Sequence, residues 1–213
     1  MANFSKREPH FAYLKADLLE NTFEPVIEYP STYHEKFYGL IPWIYLPSGY
    51  FSPQEDRYFI SFPLDPNIYI FNKDFKLVKK VDLSSAAIPK PIKPFKEKYT
   101  ENYDYQKENQ FYSLLSYYLD MLPDFEHNRV YRLALIKKAD PNNPKSDPII
   151  SYTIVVCDSD LNILGEWEIP SKYDLSSPVL VKSQGLWLLD KEKTNPEETL
   201  LTFDIFDGKF KKA

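Results

Sequence analysis

Two stretches of the chain repeat one order of apolar and polar positions. The first runs from Ile68 to Leu83 and the second from Ile154 to Ile169, at an offset of 160 − 74 = 86 residues. Each opens on four consecutive apolar residues, Ile68–Phe71 and Ile154–Cys157. A run that short and that apolar predicts a strand covered on both faces. A polar stretch follows, in which Asn72 aligns with Asp158 and Asp74 with Asp160. Asn and Asp side chains hydrogen-bond the nearby backbone and favour a turn. The remainder alternates, with Leu77, Lys79, Val81 and Leu83 on one face and Val78, Lys80 and Asp82 on the other; Ile163, Gly165, Trp167 and Ile169 repeat the pattern. Period two with one polar face predicts an outer strand. Each unit is therefore expected to be a hairpin. Asp74 and Asp160 are expected to bond backbone N–H groups in equivalent turns, and Trp167 to face a neighbouring unit, largely buried.

A third, partial copy closes the chain. Phe203 to Phe210 contains the pair Asp207-Gly208, a strong hairpin signal. Matching Phe210 to Leu161 gives an offset of 210 − 161 = 49. Ahead of it, Pro178 to Asp190 predicts two strands around Ser183, Gln184 and Gly185, then a loop from Lys191 to Glu198, then a strand from Thr199 to Phe206. That order suits a four-stranded propeller blade. It recurs before the second unit, as Arg129–Lys138, a polar loop Ala139–Pro148 and Ile149–Cys157. Before the first it is Arg57–Phe62 and a short turn Leu64–Asn67. The 86-residue spacing holds either a degenerate blade or one long insertion. The expected fold is all-β, with about three or four propeller-type antiparallel blades in a partial ring over residues 41–213.

Two regions break this pattern. Phe111, Leu114, Leu115, Tyr118, Leu119 and Leu122 form a helical stripe, which predicts a helix from Tyr105 to Met121 stopped by Pro123. With the proline-rich residues 84–104 before it, the stripe makes an insertion at about 84–123. Residues 1–40 are an irregular lead-in, with Ala12–Glu20 either a short helix or irregular.

Composition narrows the function. With seventeen Tyr, fifteen Phe, eighteen Pro and five Gly, the chain favours aromatic strands and proline-punctuated turns, and leaves few residues for a Gly-rich phosphate loop. No cofactor is implied. The net charge of −5 repels a phosphate backbone, so nucleic acid is not an expected partner. The basic run Lys90, Lys93, Lys96 and Lys98 reads as a solvated proline-rich loop. Cys157, in an apolar run, reads as a buried structural thiol. No stretch has the length of a membrane helix, and the first residues lack the apolar core of a signal peptide. The chain is thus either cytoplasmic or begins after a removed leader.

Taken together, Tyr58–Pro63, Ile68–Phe71, Arg129–Leu133, Val155–Glu166 and Gly185–Leu188 resemble the C-terminal half of the DUF4221 family, over roughly residues 40–210. The resemblance implies a six- or seven-bladed propeller, exported and lipid-anchored at the bacterial cell envelope or in the periplasm. It implies no known activity and lends no catalytic residues. The chain departs from the family in lacking a leader cysteine and in being too short for a full ring. It is therefore expected to be either a fragment or a shortened gene.

Among chemical motifs, His10, His34 and His127 are scattered and show no metal spacing. Asp158 and Asp160 resemble the start of a calcium loop without its Gly or distal Glu, and the repeat places Lys73 between the matching oxygens; a turn is the better reading. No nucleophile elbow is present. No catalytic residues and no metal site are assigned. The aromatic run from Pro42 to Phe51 either packs between blades or lines a ligand mouth, and Trp43, Tyr45 and Tyr50 are the candidate ligand-binding residues. The leading expectation is a non-catalytic binding or scaffolding module for a glycan or peptide. The alternatives are a propeller-class glycoside hydrolase or lyase, and a structural half of a larger propeller. Three blades leave two faces open, so a homodimer or a missing N-terminal half is the expected partner.

Overall fold

In a computed structural model, the structure describes residues 11–95, 104–143, 146–175, 180–182, 185–194 and 202–206. Strands β1 (Phe11–Asp17) and β2 (Thr22–Glu28) form a hairpin, followed by the short helix α1 (Ser31–Glu35) and a 3-10 turn at Pro42–Tyr45. Sheet one is β3 (Ser48–Ser52), β4 (Arg57–Ser61), β5 (Asn67–Asn72) and β6 (Leu77–Asp82), antiparallel in chain order. Helix α2 (Tyr105–Leu114) precedes sheet two: β7 (Tyr117–Asp124), β8 (Arg129–Lys138), β9 (Ile149–Asp158) and β10 (Ile163–Ile169), again in chain order. Sheet three contains β11 (Tyr173–Asp174), β12 (Leu180–Lys182), β13 (Gly185–Asp190) and β14 (Phe203–Phe206). There β11 and β12 share one edge of β13, and β14 takes the other. The fold is thus mostly β and antiparallel, and none of these sheets closes into a barrel. The Asp207-Gly208 turn lies outside the described residues.

Alternation along the central strands divides their side chains between successive cores. Phe59, Ile68 and Ile70 of sheet one meet Val130, Val155 and Cys157 of sheet two. From the opposite face of sheet two, Tyr131, Leu133, Ile154 and Val156 meet Leu186, Leu188 and Phe206 of sheet three. A strand between two cores must be apolar at consecutive positions, which is why Ile154–Cys157 is unbroken. Each such side chain, fully buried, contributes about 1.5–3 kcal/mol.

Three expectations change. The stripe at 111–122 is not one helix: α2 ends at Leu114, and Tyr117–Asp124 form β7. Pairing with β8 outweighs the local period, and Tyr118 and Met121 turn into the cores on a strand with a register shift. Pro123 does not stop a helix. It sits in an edge strand, where its missing N–H costs no ladder bond. The lead-in is also regular from Phe11, because Asp17 Oδ1 accepts the N–H groups of Leu19 (3.0 Å) and Glu20 (3.1 Å) and turns the chain into a hairpin, with Asn21 left-handed at φ 51°. Finally, the outer face of sheet one is not open. Ile27, Tyr33, Ile44, and Tyr112 and Leu115 from α2 and its end, pack against Ile60, Phe62, Tyr69 and Phe71. Trp187 and Ile205 pair on the face of sheet three turned away from sheet two.

The 86-residue offset spans the link that carries α2 and the first hairpin of sheet two. The two repeated hairpins, β5–β6 and β9–β10, are the last hairpins of successive sheets, and the link carrying α2 lies between those sheets. Asp104 caps α2, its Oδ1 accepting from the N–H groups of Gln106 and Lys107 at 3.1 Å each.

Candidate functional site

The repeat is closest at the turns. In β5–β6, the Asn72 side chain accepts from the N–H groups of Asp74 (3.0 Å) and Lys76 (2.9 Å), and Phe75 is left-handed at φ 59°. In β9–β10, Asp158 accepts from Asn162 N–H (2.8 Å) and Asn162 Nδ2 (2.9 Å), and Leu161 is left-handed at φ 66°. The turn-forming side chains are therefore Asn72 and Asp158, not Asp74 and Asp160 as expected. The first residue of such a turn is the one whose side chain reaches the N–H groups ahead of it. Donation from Asn162 holds the Asp158 carboxyl below the usual carboxylate range. Both Asp158 oxygens are thus engaged within the turn. Each hairpin also has a register shift at the same place, Leu77/Lys79 and Ile163/Gly165, which breaks the expected alternation and leaves Leu77 and Ile163 about half exposed. Trp167 does face sheet three, 6.1 Å from Phe206 between ring centroids, but it is only partly buried.

A second pair of turns matches in the same way. Between β3 and β4, Ser52 Oγ accepts from Glu55 N–H (3.4 Å) and Asp56 is left-handed; between β7 and β8, Asp124 Oδ1 accepts from His127 N–H (3.2 Å) and Asn128 is left-handed. Asp124 is only 2% exposed. Its two oxygens each lie 2.9 Å from His127 Nδ1, and Tyr131 Oη donates to Oδ2 at 3.1 Å. Its carboxylate is fully occupied in holding this turn.

The turns β3–β4, β7–β8 and β9–β10 lie together and enclose a hollow of about 340 Å³. Its aromatic wall is Tyr50 and Phe125. The Tyr50 ring stacks on Phe59 (4.8 Å, 5°) and meets the Phe125 edge at 5.8 Å and 80°. Burial pushes the Tyr50 hydroxyl well above its ordinary pKa, so it stays a neutral donor. Glu55, Asn128, Arg129 and Asp160 supply the polar rim.

Of the three candidate aromatics, the structure puts only Tyr50 at the hollow. Tyr45 packs on the core beside sheet one: its hydroxyl donates to Gly39 O (2.9 Å), its ring lies 5.6 Å from Tyr33, and burial pushes its pKa up to about 12. Trp43 is 53% exposed on the 3-10 turn. Sequence reasoning missed Phe125, Arg129 and Asp160. The available signal was the equal length of the Ser52–Arg57 and Asp124–Arg129 turns, which aligns Phe125 with Pro53 and Arg129 with Arg57. The Cys157 thiol is buried and its pKa is raised to about 12 by burial, so it is inert. Among the described residues, no helix is long and apolar enough to cross a membrane, and no group of three or more His, Cys, Asp or Glu is placed to hold a metal ion.

Successive four-stranded antiparallel meanders with a hollow at their turns define the class. A family model, Domain of unknown function (DUF4221), matches residues 17–168, and the chain belongs to that family. The chain is similar in fold to the crystal structure of a DUF4221 family member from Bacteroides vulgatus, with a TM-score of 0.67 and 20% identity over 91% of this chain. It spans about half, 54%, of that relative's length. No curated protein matches.

Proposed function

We propose that the chain is a non-catalytic binding module built of propeller-type blades, acting at the bacterial cell envelope, with its ligand seated in the hollow between the turns. The observation that carries this reading is the Tyr50–Phe125 pair, set by three turns of two sheets at one end of the stack. Rigid strands behind a concave aromatic wall with a few polar groups form a small-molecule site. The one deeply buried acid there, Asp124, is spent on His127 and Tyr131. The blade reading is supported by the repeated meander and by turns that match residue for residue between sheets one and two. Thermal-shift measurements against a panel of glycans and peptides test it. Binding raises the melting temperature by mass action, without turnover, and the shift is lost in Phe125→Ala. Turnover of any panel member would overturn it.

A further inference from the structure

The charges around the hollow narrow what it holds. Glu55, Asp160 and Arg129 line the hollow from three turns, and Glu55 is also 3.8 Å from Arg57 Nη1. An anionic ligand would face the two carboxylates, and a cationic one the guanidinium. A neutral ligand rich in hydroxyls is opposed by neither, because a hydroxyl donates to a carboxylate and accepts from Arg129 or the Asn128 amide. Arg129 is held in place by its hydrogen bond to Tyr131, which in turn donates to Asp124. Phe125 is 45% exposed and lines the hollow, within reach of the C–H side of a flat apolar or sugar ring. The volume, about 340 Å³, is near the lower end of the 300–1,000 Å³ usual for small-molecule sites. That suits one or two small rings better than a folded peptide.

We infer that the hollow binds a neutral pyranose ring, stacked on Phe125 and bordered by Tyr50, with its hydroxyls shared among Asp160, Glu55, Asn128 and Arg129. This inference rests on the binding-module reading above and specifies its ligand.

Saturation-transfer NMR on the full chain tests it. The probes are methyl β-glucopyranoside, methyl α-mannopyranoside and cellobiose, beside n-butylamine and methyl phosphate. At least one sugar is expected to take up saturation at its ring C–H protons. Its affinity should fall about ten-fold in Phe125→Ala, the worth of one lost ring contact, and stay unchanged in Trp43→Ala. Circular dichroism confirms that each variant keeps its fold. Asp160→Asn separates the ligand classes: a neutral ring loses less than about three-fold, because the amide still hydrogen-bonds, whereas a cation loses about ten-fold or more. Preferential binding of butylamine or methyl phosphate, abolished in Phe125→Ala, would overturn the pyranose inference and leave the binding site standing. Silence from all five probes, or binding indifferent to Phe125→Ala, would overturn both.

Discussion

The guanidinium carbon of Arg132 lies 3.5 Å from the centroid of the Tyr118 ring. Arg132 projects from β8, is fully buried, and reaches into the β4–β5 connection of sheet one. It donates to Ser61 Oγ (3.1 Å) and to the carbonyls of Phe62 (3.4 Å), Asp65 (2.7 Å), Pro66 (2.6 Å) and Leu83 (3.0 Å). Tyr118 in turn accepts the Ser85 N–H at 3.1 Å. The charge is therefore satisfied by carbonyl dipoles and a ring face. Burial lowers the Arg132 pKa to about 10, still well above neutrality. Arg132→Met strands those carbonyls in a dry interface and is expected to cost about 3–5 kcal/mol in urea unfolding. Arg132→Lys should recover little, since an ammonium lacks the planar fork. A loss under about 1 kcal/mol for Arg132→Met would show that the two sheets hold without this bridge.

Gly39 anchors α2. Its φ is +101°, and an added Cβ would overlap the Tyr112 hydroxyl and crowd Glu108. These two side chains receive the N–H groups of Ile41 (3.0 Å) and Leu40 (2.6 Å). Gly39→Ala combines backbone strain of about 1–3 kcal/mol with the loss of those bonds. A drop in stability of at least about 2 kcal/mol is expected from chemical denaturation, and a change within about 0.5 kcal/mol would contradict it.

Asp158 and Asp160 separate the two roles within one turn. Asp158→Ala should cost about 1 kcal/mol, the size of a lost cap-like bond, while Asp160→Ala stays within about 0.5 kcal/mol. Asp158→Asn should be nearly neutral, because Asn72 already plays that part in sheet one. Equal costs for the two alanine variants, read from melting curves, would show that the turn is held otherwise.

Sheet three carries the acid-sensitive contacts. Asp204 accepts from Lys172 Nζ (2.9 Å), Lys193 Nζ (2.9 Å) and Tyr173 Oη (2.9 Å), and these bonds hold its carboxyl far below the usual carboxylate range. Asp190, bonded to the same two lysines, is lowered in the same direction. A depressed carboxyl stabilises the fold above its unfolded pKa of about 3.9, and that stability is lost as pH falls toward the folded value. Stability should therefore decline below about pH 4, and Asp204→Asn should flatten that decline. An unchanged acid slope in the variant would assign the sensitivity to other carboxylates.

Cys157 should react with a thiol reagent only as fast as the protein unfolds. It is buried in the core between sheets one and two, and its thiol stays protonated at neutral pH. Labelling kinetics across a urea series check this; rapid reaction in native buffer would mean that the interface between the two sheets opens locally.

The sequence alone determined the elements whose signals are local. The apolar runs at Ile68–Phe71 and Ile154–Cys157, the Asx turns after them and the two strands within Pro178–Asp190 are all legible, because side chains one to five residues apart settle hairpin geometry. The family was legible for the same reason, since its motifs are those strands and turns. Tertiary structure decided the rest. Tyr118 to Leu122 satisfy a helical period and still form β7, because β8 offers backbone partners on both sides of the register shift and two cores to fill. Phe125 and Arg129 lie in one turn of sheet two and Asp160 in another, up to 35 residues on, 160 − 125; they share an end of that meander, and they meet Tyr50 and Glu55 only because sheet one stacks on sheet two with its β3–β4 turn at the same end. Tyr45 and Tyr50 are five residues apart in one aromatic run, yet one fills a core and the other lines the hollow. Chain proximity carries no information about which face of a sheet a neighbouring sheet will cover; that is set by packing between strands distant in sequence, where apolar burial is gained only once both sheets are in place.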